Sequence, residues 1–193
     1  MKLLVVMGLP GVGKSSVLAE AMKRAKSKIA LINYGDMAVE AASEKGLAKD
    51  RDKLIDLPVK SQLELQDLVV SKLAKLGNKQ NIILDTHAVV RRRPVGYIAG
   101  LHPVFLKKLK IDGFVFVDAP SEQIMGRRAA DRTRERSALS KEEIDEYRLL
   151  AKMLISSYAA ATGAPFYYIS NLDGKLKESA DNLVSVIKNI GWE

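Results

Sequence analysis

The amino-acid sequence predicts an α/β protein with three layers, in which a parallel sheet of about five strands carries helices on both faces. Short apolar runs rich in Val, Ile, Leu and Phe recur along the chain, and segments with helical spacing separate them. Parallel strands joined in this way have right-handed crossovers in nearly all known cases, so few topologies remain. Two helix stops precede strands, as glycine and proline predict, at Gly77-Asn78 and at Gly163-Ala164-Pro165.

Five apolar runs are the predicted strands. Their apolar residues are nearly continuous rather than alternating, which is typical of strands buried on both faces. The runs are Leu3 to Met7, Ile29 to Ile32, Asn81 to Asp85, Phe114 to Asp118 and Phe166 to Ile169.

Seven segments between and after these strands are the predicted helices. Their apolar residues recur about three and four positions apart, which gives one apolar face per helix. The segments are Lys14 to Lys26, Met37 to Lys45, Lys60 to Leu76, Val104 to Lys110, Glu122 to Arg132, Lys141 to Ala161 and Leu176 to Ile190.

The composition favours a single globular domain over residues 1–193. With 47% hydrophobic and 28% charged residues, a chain of this length buries about two-thirds to three-quarters of its unfolded surface. It has no cysteine, which excludes disulfides and thiolate metal sites and fits a reducing cytoplasm. No apolar stretch reaches the roughly 18 residues of a membrane span, so we expect a soluble, cytoplasmic protein that uses no membrane. The net charge of +8 favours anionic partners, among them nucleotides, RNA and acidic membranes.

A phosphate-binding loop follows the first strand. The stretch GLPGVGKSS fits the pattern G-x-x-x-x-G-K-[ST], with a strand before it and an apolar-periodic helix after it. The glycines allow backbone N–H groups to turn toward phosphates, and the N-terminus of the helix adds a positive dipole. We expect the phosphates of a nucleotide to contact this loop, which consists of Gly8, Leu9, Pro10, Gly11, Val12, Gly13, Lys14, Ser15 and Ser16.

Two roles within this loop follow from the chemistry of the phosphate chain. Lys14 would reach the β- and γ-phosphates as a point charge, and the Ser15 hydroxyl would ligate Mg²⁺. Asp85 ends an apolar strand at the sheet edge where ligands collect in open α/β folds, and we expect it to hold the same ion. Asp118 ends another strand, and it is either a second residue of this kind or the cap of the helix that follows.

The segments beyond the loop favour phosphoryl transfer over a GTPase switch. No Asn-Lys-x-Asp guanine reader stands at a late strand end. LINYGDMAVE places Asp36 at the binding edge, where it is either a helix cap or an acceptor residue. Arg51, between the two aspartates of KDRDKL, is either solvated surface or a guanidinium for an acceptor phosphate. A phosphate monoester is already largely anionic at neutral pH, so an acceptor of this class needs arginines more than it needs a base.

The order and spacing of six segments resemble those of the archaeal-type adenylate kinases. The segments are GLPGVGKSS, INYGDM, KDRD, LDTHAVVR, GYIAGL and DRTRER, and the resemblance runs from Lys2 to about Gly163. It implies a P-loop kinase fold whose P-loop strand is central, and the reversible conversion of ATP and AMP to two ADP with Mg²⁺. It also implies an acceptor-nucleotide segment over 34–66, a short lid over 127–141, and a homotrimer, the usual assembly of this family.

The same resemblance assigns roles to individual residues. It assigns Gly8 to Ser16 to ATP. It places Tyr34, Gly35, Asp36, Thr86 and His87 on the AMP side, with Arg51 and Arg91 as contacts of the acceptor phosphate. Arg127 matches an arginine near the ATP base and phosphates, and Arg134 and Arg136 match lid arginines. Together with Lys14, these three arginines would neutralise the transferred phosphoryl group.

Two alternatives stay open at this stage. A kinase for another nucleoside monophosphate or a small hydroxyl substrate, such as a shikimate-type enzyme, would use the same P-loop, with Asp36 available to a hydroxyl acceptor. An ATP-regulated RNA-binding protein would use the basic clusters Arg91 to Arg93 and Arg127 to Arg136. The low aromatic content of 6% and the lack of an RNP-type signature argue against nucleic acid as the primary partner.

Overall fold

The predicted alternation of strands and helices is present in the computed structural model of the chain. It describes residues 2–77, 80–92, 96–131 and 139–192; the side chains of Arg51, Asp52 and Val104 lie outside this description. The elements in chain order are β1 Leu3–Met7, α1 Lys14–Met22, β2 Ile29–Asn33, α2 Tyr34–Glu44, α3 Arg51–Asp56, α4 Val59–Gly77, β3 Asn81–Thr86, β4 Val89–Arg92, β5 Gly96–Ala99, α5 Pro103–Lys108, β6 Gly113–Asp118, α6 Ser121–Ala130, α7 Lys141–Thr162, β7 Phe166–Ser170 and α8 Leu176–Asn189.

Five strands form one parallel sheet in the order β2-β3-β1-β6-β7, and the strand before the P-loop is therefore central. Every residue of β1 and of β6 is buried. Successive side chains of a strand point to opposite faces, so burial of all of them requires helices on both faces of the sheet. The predicted fold class is confirmed, and all five predicted strands are present to within one residue at each end.

Parallel pairing brings the strand ends of the sheet to one edge. Val6 of β1 pairs with Asp85 of β3, and Asn33 of β2 pairs with the same residue from the other side. The P-loop begins at Gly8, directly after β1. The register thus places Asp85 next to the start of the phosphate-binding loop.

Two additions to the predicted elements are present. The segment that contains the basic cluster Arg91 to Arg93 includes the antiparallel pair β4 and β5, in which Arg91 pairs with Tyr97. The tyrosines of α7 hold this pair at the sheet edge, since the hydroxyls of Tyr147 and Tyr158 donate to the carbonyls of Val89 and Ala88 at 3.0 and 3.1 Å. The second addition is the short helix α3, whose cap Asp50 accepts from the N–H of Lys53 at 2.9 Å.

The C-terminus of α7 follows the glycine signal in the sequence, whereas one end of α1 and one end of α2 differ from the predicted bounds. The long helix α7 begins with a capping box between Ser140 and Glu143 and ends at Gly163, which has a φ of 71°. That positive φ favours glycine, as expected for a helix C-terminus. Helix α1 ends at Met22 rather than Lys26, and α2 begins at Tyr34 because Asn33 caps it.

Candidate functional site

The P-loop turns sharply between β1 and α1. Gly11 and Gly13 have φ values of 101° and 81°, which side chains other than glycine rarely adopt. At Gly8 the constraint is space, because a Cβ there would lie 2.6 Å from the carbonyl oxygen of Val117. The first bond of α1 runs from the N–H of Val17 to the carbonyl of Gly13 at 3.1 Å. The N–H groups before Val17 therefore have no partner within the helix, which is the arrangement that binds phosphate.

Lys14 and Asp85 meet behind this loop. The Lys14 ammonium forms an ion pair with Oδ1 of Asp85, and each residue is only 8% exposed. Asn33 donates from Nδ2 to the other carboxylate oxygen of Asp85 at 2.9 Å. Both oxygens of this buried carboxylate thus have partners, as a charge at this depth requires. The structure brings together the lysine and the strand-end aspartate that the sequence singled out.

The turn after β3 touches the start of the P-loop. Nδ1 of His87 lies 2.8 Å from the carbonyl oxygen of Gly8, and Thr86 is buried at the end of β3. His87 is also close to Gly100, the residue directly after β5, since a Cβ on Gly100 would overlap the carbonyl oxygen of His87. The two predicted AMP-side residues therefore lie beside the phosphate-binding loop.

The other acceptor-side residues lie at the start of α2 and on β4. Tyr34 begins α2 and makes an edge contact with Phe105, with ring centroids 6.2 Å apart. Burial raises the pKa of Tyr34 above its ordinary value, so the phenol stays protonated and neutral. Gly35 follows it, and Asp36 is in the first turn, where its N–H donates to Asn33 Oδ1 at 3.2 Å. The capping alternative for Asp36 is wrong, because Asn33 is the cap.

Two of the predicted arginines, Arg91 and Arg127, contact other parts of the protein. Arg91 on β4 pairs with Glu143 of α7 at 2.7 Å. Arg127 on α6 donates five hydrogen bonds to four oxygens of other residues, among them the P-loop carbonyl of Val12 at 3.0 Å. The side chain of Arg51 and residues 132–138 of the lid, which include Arg134 and Arg136, lie outside the described residues.

Asp118 does not cap the helix that follows it, and its carboxylate accepts hydrogen bonds from side chains of α7 and β7. Its carboxylate is 0% exposed and accepts from Arg148 Nε and Nη2, both at 2.9 Å, from Lys152 Nζ at 3.1 Å and from the Tyr168 hydroxyl at 2.9 Å. Burial opposes its ionisation, but the hydrogen bonds from Arg148 and Lys152 outweigh burial and lower the pKa of Asp118. The capping alternative is wrong, because α6 has Pro120 at its N-cap and no side-chain cap. Asp118 joins β6 to α7.

Sequence reasoning missed two asparagines at the same edge. Asn33 ends β2 and binds Asp85, and Asn171 follows β7 and donates from Nδ2 to the Val12 carbonyl at 2.8 Å. Their signal in the sequence is a polar amide directly at the end of an apolar strand, the position that also singled out Asp85.

Comparisons with known proteins agree with this geometry. Residues 7–145 match the family described as AAA domain. The solved structure of shikimate kinase from Bacteroides thetaiotaomicron superposes with a TM-score of 0.58 at 12% identity, covering 96% of this chain and 98% of that one. A sugar kinase from Janibacter gives a TM-score of 0.53 at 14% identity, over 98% of each chain. At these identities the likeness shows the fold.

The fold and the P-loop edge define a P-loop kinase. The chain is 35% identical to the adenylate kinase of Methanocaldococcus jannaschii, over 97% of this chain and 98% of that protein. It is 36% identical to the adenylate kinase of Methanopyrus kandleri over the same shares of both chains. The chain therefore belongs to the adenylate kinase family.

Two further findings concern metals and membranes. Within the described residues, no group of three or more His, Cys, Asp or Glu side chains is placed to hold a metal ion. None of the helices in the described ranges is long and apolar enough to cross a membrane.

Proposed function

We propose that this protein is an adenylate kinase, which transfers the γ-phosphoryl group of ATP reversibly to AMP and so forms two ADP. The observation that carries the proposal is the full-length similarity to archaeal adenylate kinases, in a chain whose P-loop lysine lies against a buried strand-end carboxylate.

The chain's own residues supply binding, orientation and charge. The N–H groups at the start of α1 and the Lys14 ammonium hold the β- and γ-phosphates of ATP. The acceptor AMP lies beside Tyr34, Gly35, Asp36 and the Thr86-His87 turn, with Arg51 and Arg91 on its phosphate. The attacking oxygen belongs to a phosphate that is already ionised near pH 7, so no general base is needed. Holding donor and acceptor in line is then the main task of the protein.

We propose that Ser15 and Asp85 hold Mg²⁺. Ser15 is exposed on the first turn of α1, and Asp85 is buried at the end of β3. A hydroxyl and a carboxylate are hard oxygen ligands, and Mg²⁺ in kinase sites typically takes one or two of these together with substrate phosphates and water. Both donor types therefore fit the ion. Because Lys14 and Asn33 contact the two Asp85 oxygens in this structure, Asp85 would hold the ion once Lys14 turns to the phosphates, and the bound ion would draw electron density from the phosphate oxygens.

We propose that the cations of the lid segment, residues 127–141, cover the phosphoryl group during transfer. Arg127, Arg134 and Arg136 have this role by resemblance to the archaeal enzymes. Arg127 also contacts the P-loop, which supports a place near the phosphates. Covering the site excludes water, which would otherwise compete with AMP as acceptor.

The wider organisation is proposed on the same resemblance. We propose a single P-loop kinase domain over residues 1–193, with an acceptor segment at 34–66, a Walker A motif at Gly8 to Ser16, a homotrimeric assembly and a cytoplasmic location. Light scattering of the purified protein would measure the assembly, and a monomer at micromolar concentration would rule out the trimer.

The test of the reaction is a panel of acceptors. The protein is incubated with ATP, Mg²⁺ and each of AMP, CMP, GMP, UMP and shikimate, and diphosphate or phosphoester formation is followed by ³¹P NMR. We expect ADP formation with AMP to exceed product formation with every other acceptor. Transfer to shikimate in preference to AMP, or no transfer to any monophosphate by folded protein, would refute the proposal.

The role of Lys14 has its own test. Lys14→Ala removes the phosphate-binding ammonium, and we expect kcat for ADP formation to fall about 100-fold or more, the scale for one preorganised charge in a transfer site. The matched control is Lys23→Ala at the end of the same helix, where the lysine is 73% exposed and contacts Glu20. The control should keep its activity, and an active Lys14→Ala enzyme would contradict the assignment.

A further inference from the structure

Asn171 is a buried polar residue that belongs to none of the sequence motifs. It follows β7 directly and is 6% exposed. Its backbone N–H donates to the carbonyl of Asp118 at 2.8 Å, which fixes the residue beside the end of β6. Its side chain reaches across 159 positions of sequence to the P-loop, where Nδ2 donates to the Val12 carbonyl at 2.8 Å.

The Val12 carbonyl has a second donor. Nη1 of Arg127 donates to the same oxygen at 3.0 Å, and Arg127 is itself held by Asp173 at 2.9 Å and by the Asn171 carbonyl at 2.9 Å. A carbonyl with two donors on one side has a fixed direction. The peptide between Val12 and Gly13 therefore has its oxygen pointed toward Asn171 and Arg127.

This direction determines where the next amide points. A trans peptide is planar, and its C=O and N–H groups point in opposite directions. With the Val12 oxygen held by Asn171 and Arg127, the N–H of Gly13 points to the opposite side of the chain. Gly13 is the N-cap of α1, so its N–H belongs to the set of amides that a phosphate meets at the start of this helix.

The space around Gly13 supports a close and specific contact. A Cβ on Gly13 would lie 2.5 Å from Nδ2 of Asn171, so the asparagine occupies the space that any side chain at position 13 would need. Position 13 thus requires glycine for two reasons, the positive φ of 81° and the approach of Asn171. The side-chain amide of Asn171 therefore packs directly against the P-loop backbone at Gly13.

We propose that Asn171 is a positioning residue for the phosphate chain of the bound nucleoside triphosphate, acting by holding the Val12 carbonyl so that the Gly13 N–H points at a phosphate oxygen. The inference rests on the proposed binding of ATP to the P-loop and does not depend on which molecule accepts the phosphoryl group. It predicts that Asn171 affects the affinity for phosphate chains whether or not a base is attached.

The test compares three ligands on three variants by isothermal titration calorimetry with Mg²⁺. Asn171→Ala removes the donor, Asn171→Leu keeps the branched shape but has no N–H to donate and no charge, and Asn182→Ala is the control at an exposed asparagine of α8. We expect ATP and inorganic tripolyphosphate to bind about five-fold more weakly to both Asn171 variants, the scale of one lost hydrogen bond. Binding of AMP should change by less than about two-fold, and the control should match the parent protein.

A spectroscopic signature separates positioning from a general loss of structure. In ¹H–¹⁵N spectra, the Gly13 amide should shift downfield when tripolyphosphate binds the parent protein, as an N–H does when it donates to an anion. The shift should be smaller in Asn171→Leu, while the thermal unfolding midpoint identifies any variant that fails to fold. If Asn171→Ala fails to fold, Asn171→Leu carries the test, since its side chain fills the site and has no charge.

Two outcomes would overturn the inference. If ATP binding weakens while tripolyphosphate binding does not, Asn171 contacts the base or ribose and does not position the loop. If neither ligand is affected in folded variants, the carbonyl is held well enough by Arg127 alone. Failure of AMP to accept a phosphoryl group would refute the proposed reaction and leave both binding measurements interpretable.

Discussion

Asp118→Asn tests the junction between β6 and α7. The carboxylate is fully buried and accepts from Arg148, Lys152 and Tyr168. Asparagine has nearly the same size but carries no charge. Its Nδ2 group would replace a carboxylate oxygen that accepts hydrogen bonds, so a donor would face other donors. The substitution therefore leaves two cations without their buried counter-ion and creates no cavity, so the measured effect is electrostatic.

The magnitude follows from the exposure of the partners. Removing one member of a buried ion pair costs about 3–5 kcal/mol of the free energy of unfolding. Arg148 and Lys152 have side chains 19% and 37% exposed, and Arg148 retains Asp145 at 3.0 Å, so we expect the lower end, about 3 kcal/mol. For a chain of this length that loss lowers the unfolding midpoint by about 6–12 °C.

The assay is thermal unfolding followed by circular dichroism at several pH values. Because the pKa of Asp118 is lowered in the folded state, its stabilisation is complete above the unfolded pKa of about 3.9. The stabilisation is lost as the pH falls through the lowered folded value. The difference between parent and variant should therefore be constant from about pH 5 to 8 and shrink below about pH 4.

The matched control is Asp67→Asn. Asp67 pairs with Lys108 at 3.1 Å, with side chains 49% and 53% exposed, and such surface pairs contribute at most about 1 kcal/mol. A midpoint for Asp118→Asn equal to that of the control, or a difference from the parent that grows toward acid pH, would refute the reasoning.

Two further substitutions test the acceptor side of the site. Gly100→Ala would place a Cβ on the backbone carbonyl oxygen of His87, so we expect the free energy of unfolding to fall by about 2 kcal/mol or more. The control Gly126→Ala, on helix α6 with no atom within 4 Å of the added Cβ, should be neutral or stabilising. Equal thermal unfolding midpoints for the two variants would contradict this contact. Glu143→Gln removes the charge that holds Arg91 at 2.7 Å but keeps an acceptor for the helix cap. In steady-state kinetics we expect a raised KM for AMP with little change in the KM for ATP. An equal rise in both KM values would contradict the separation of the two sites.

Much of the sheet could be predicted from the sequence because its signals are local. The apolar runs of β1, β3 and β6 are continuous since both faces of each strand are buried. The P-loop was predictable for a related reason, because its glycines and lysine lie within one short stretch whose geometry depends on positive φ at Gly11 and Gly13.

The features that could not be predicted depend on partners far away in sequence. The pair β4 and β5 is held in place by tyrosines of α7 that come 58 and 70 residues later in the sequence than the carbonyls they bind. No local pattern encodes that contact. The partner of Asp118 was hidden in the same way, because Arg148 comes 30 positions later on a helix whose apolar face gave the only strong signal.

The polar residues at the carboxyl edge of the sheet show why position was predictable and role was not. β2 ends with Asn33, β3 places Asp85 near its end, β6 ends with Asp118, and Asn171 follows β7. Parallel pairing brings all four to one edge, and donors collect there because helix N-termini and the P-loop amides lie at that edge. The role of each residue then depends on which donor reaches it. Among these four, Asp85 contacts the P-loop lysine, whereas the donors to Asp118 come from helix α7 and from β7. Both aspartates lie at strand ends, so it is the contact with Lys14 that distinguishes Asp85 as the residue expected near the phosphates.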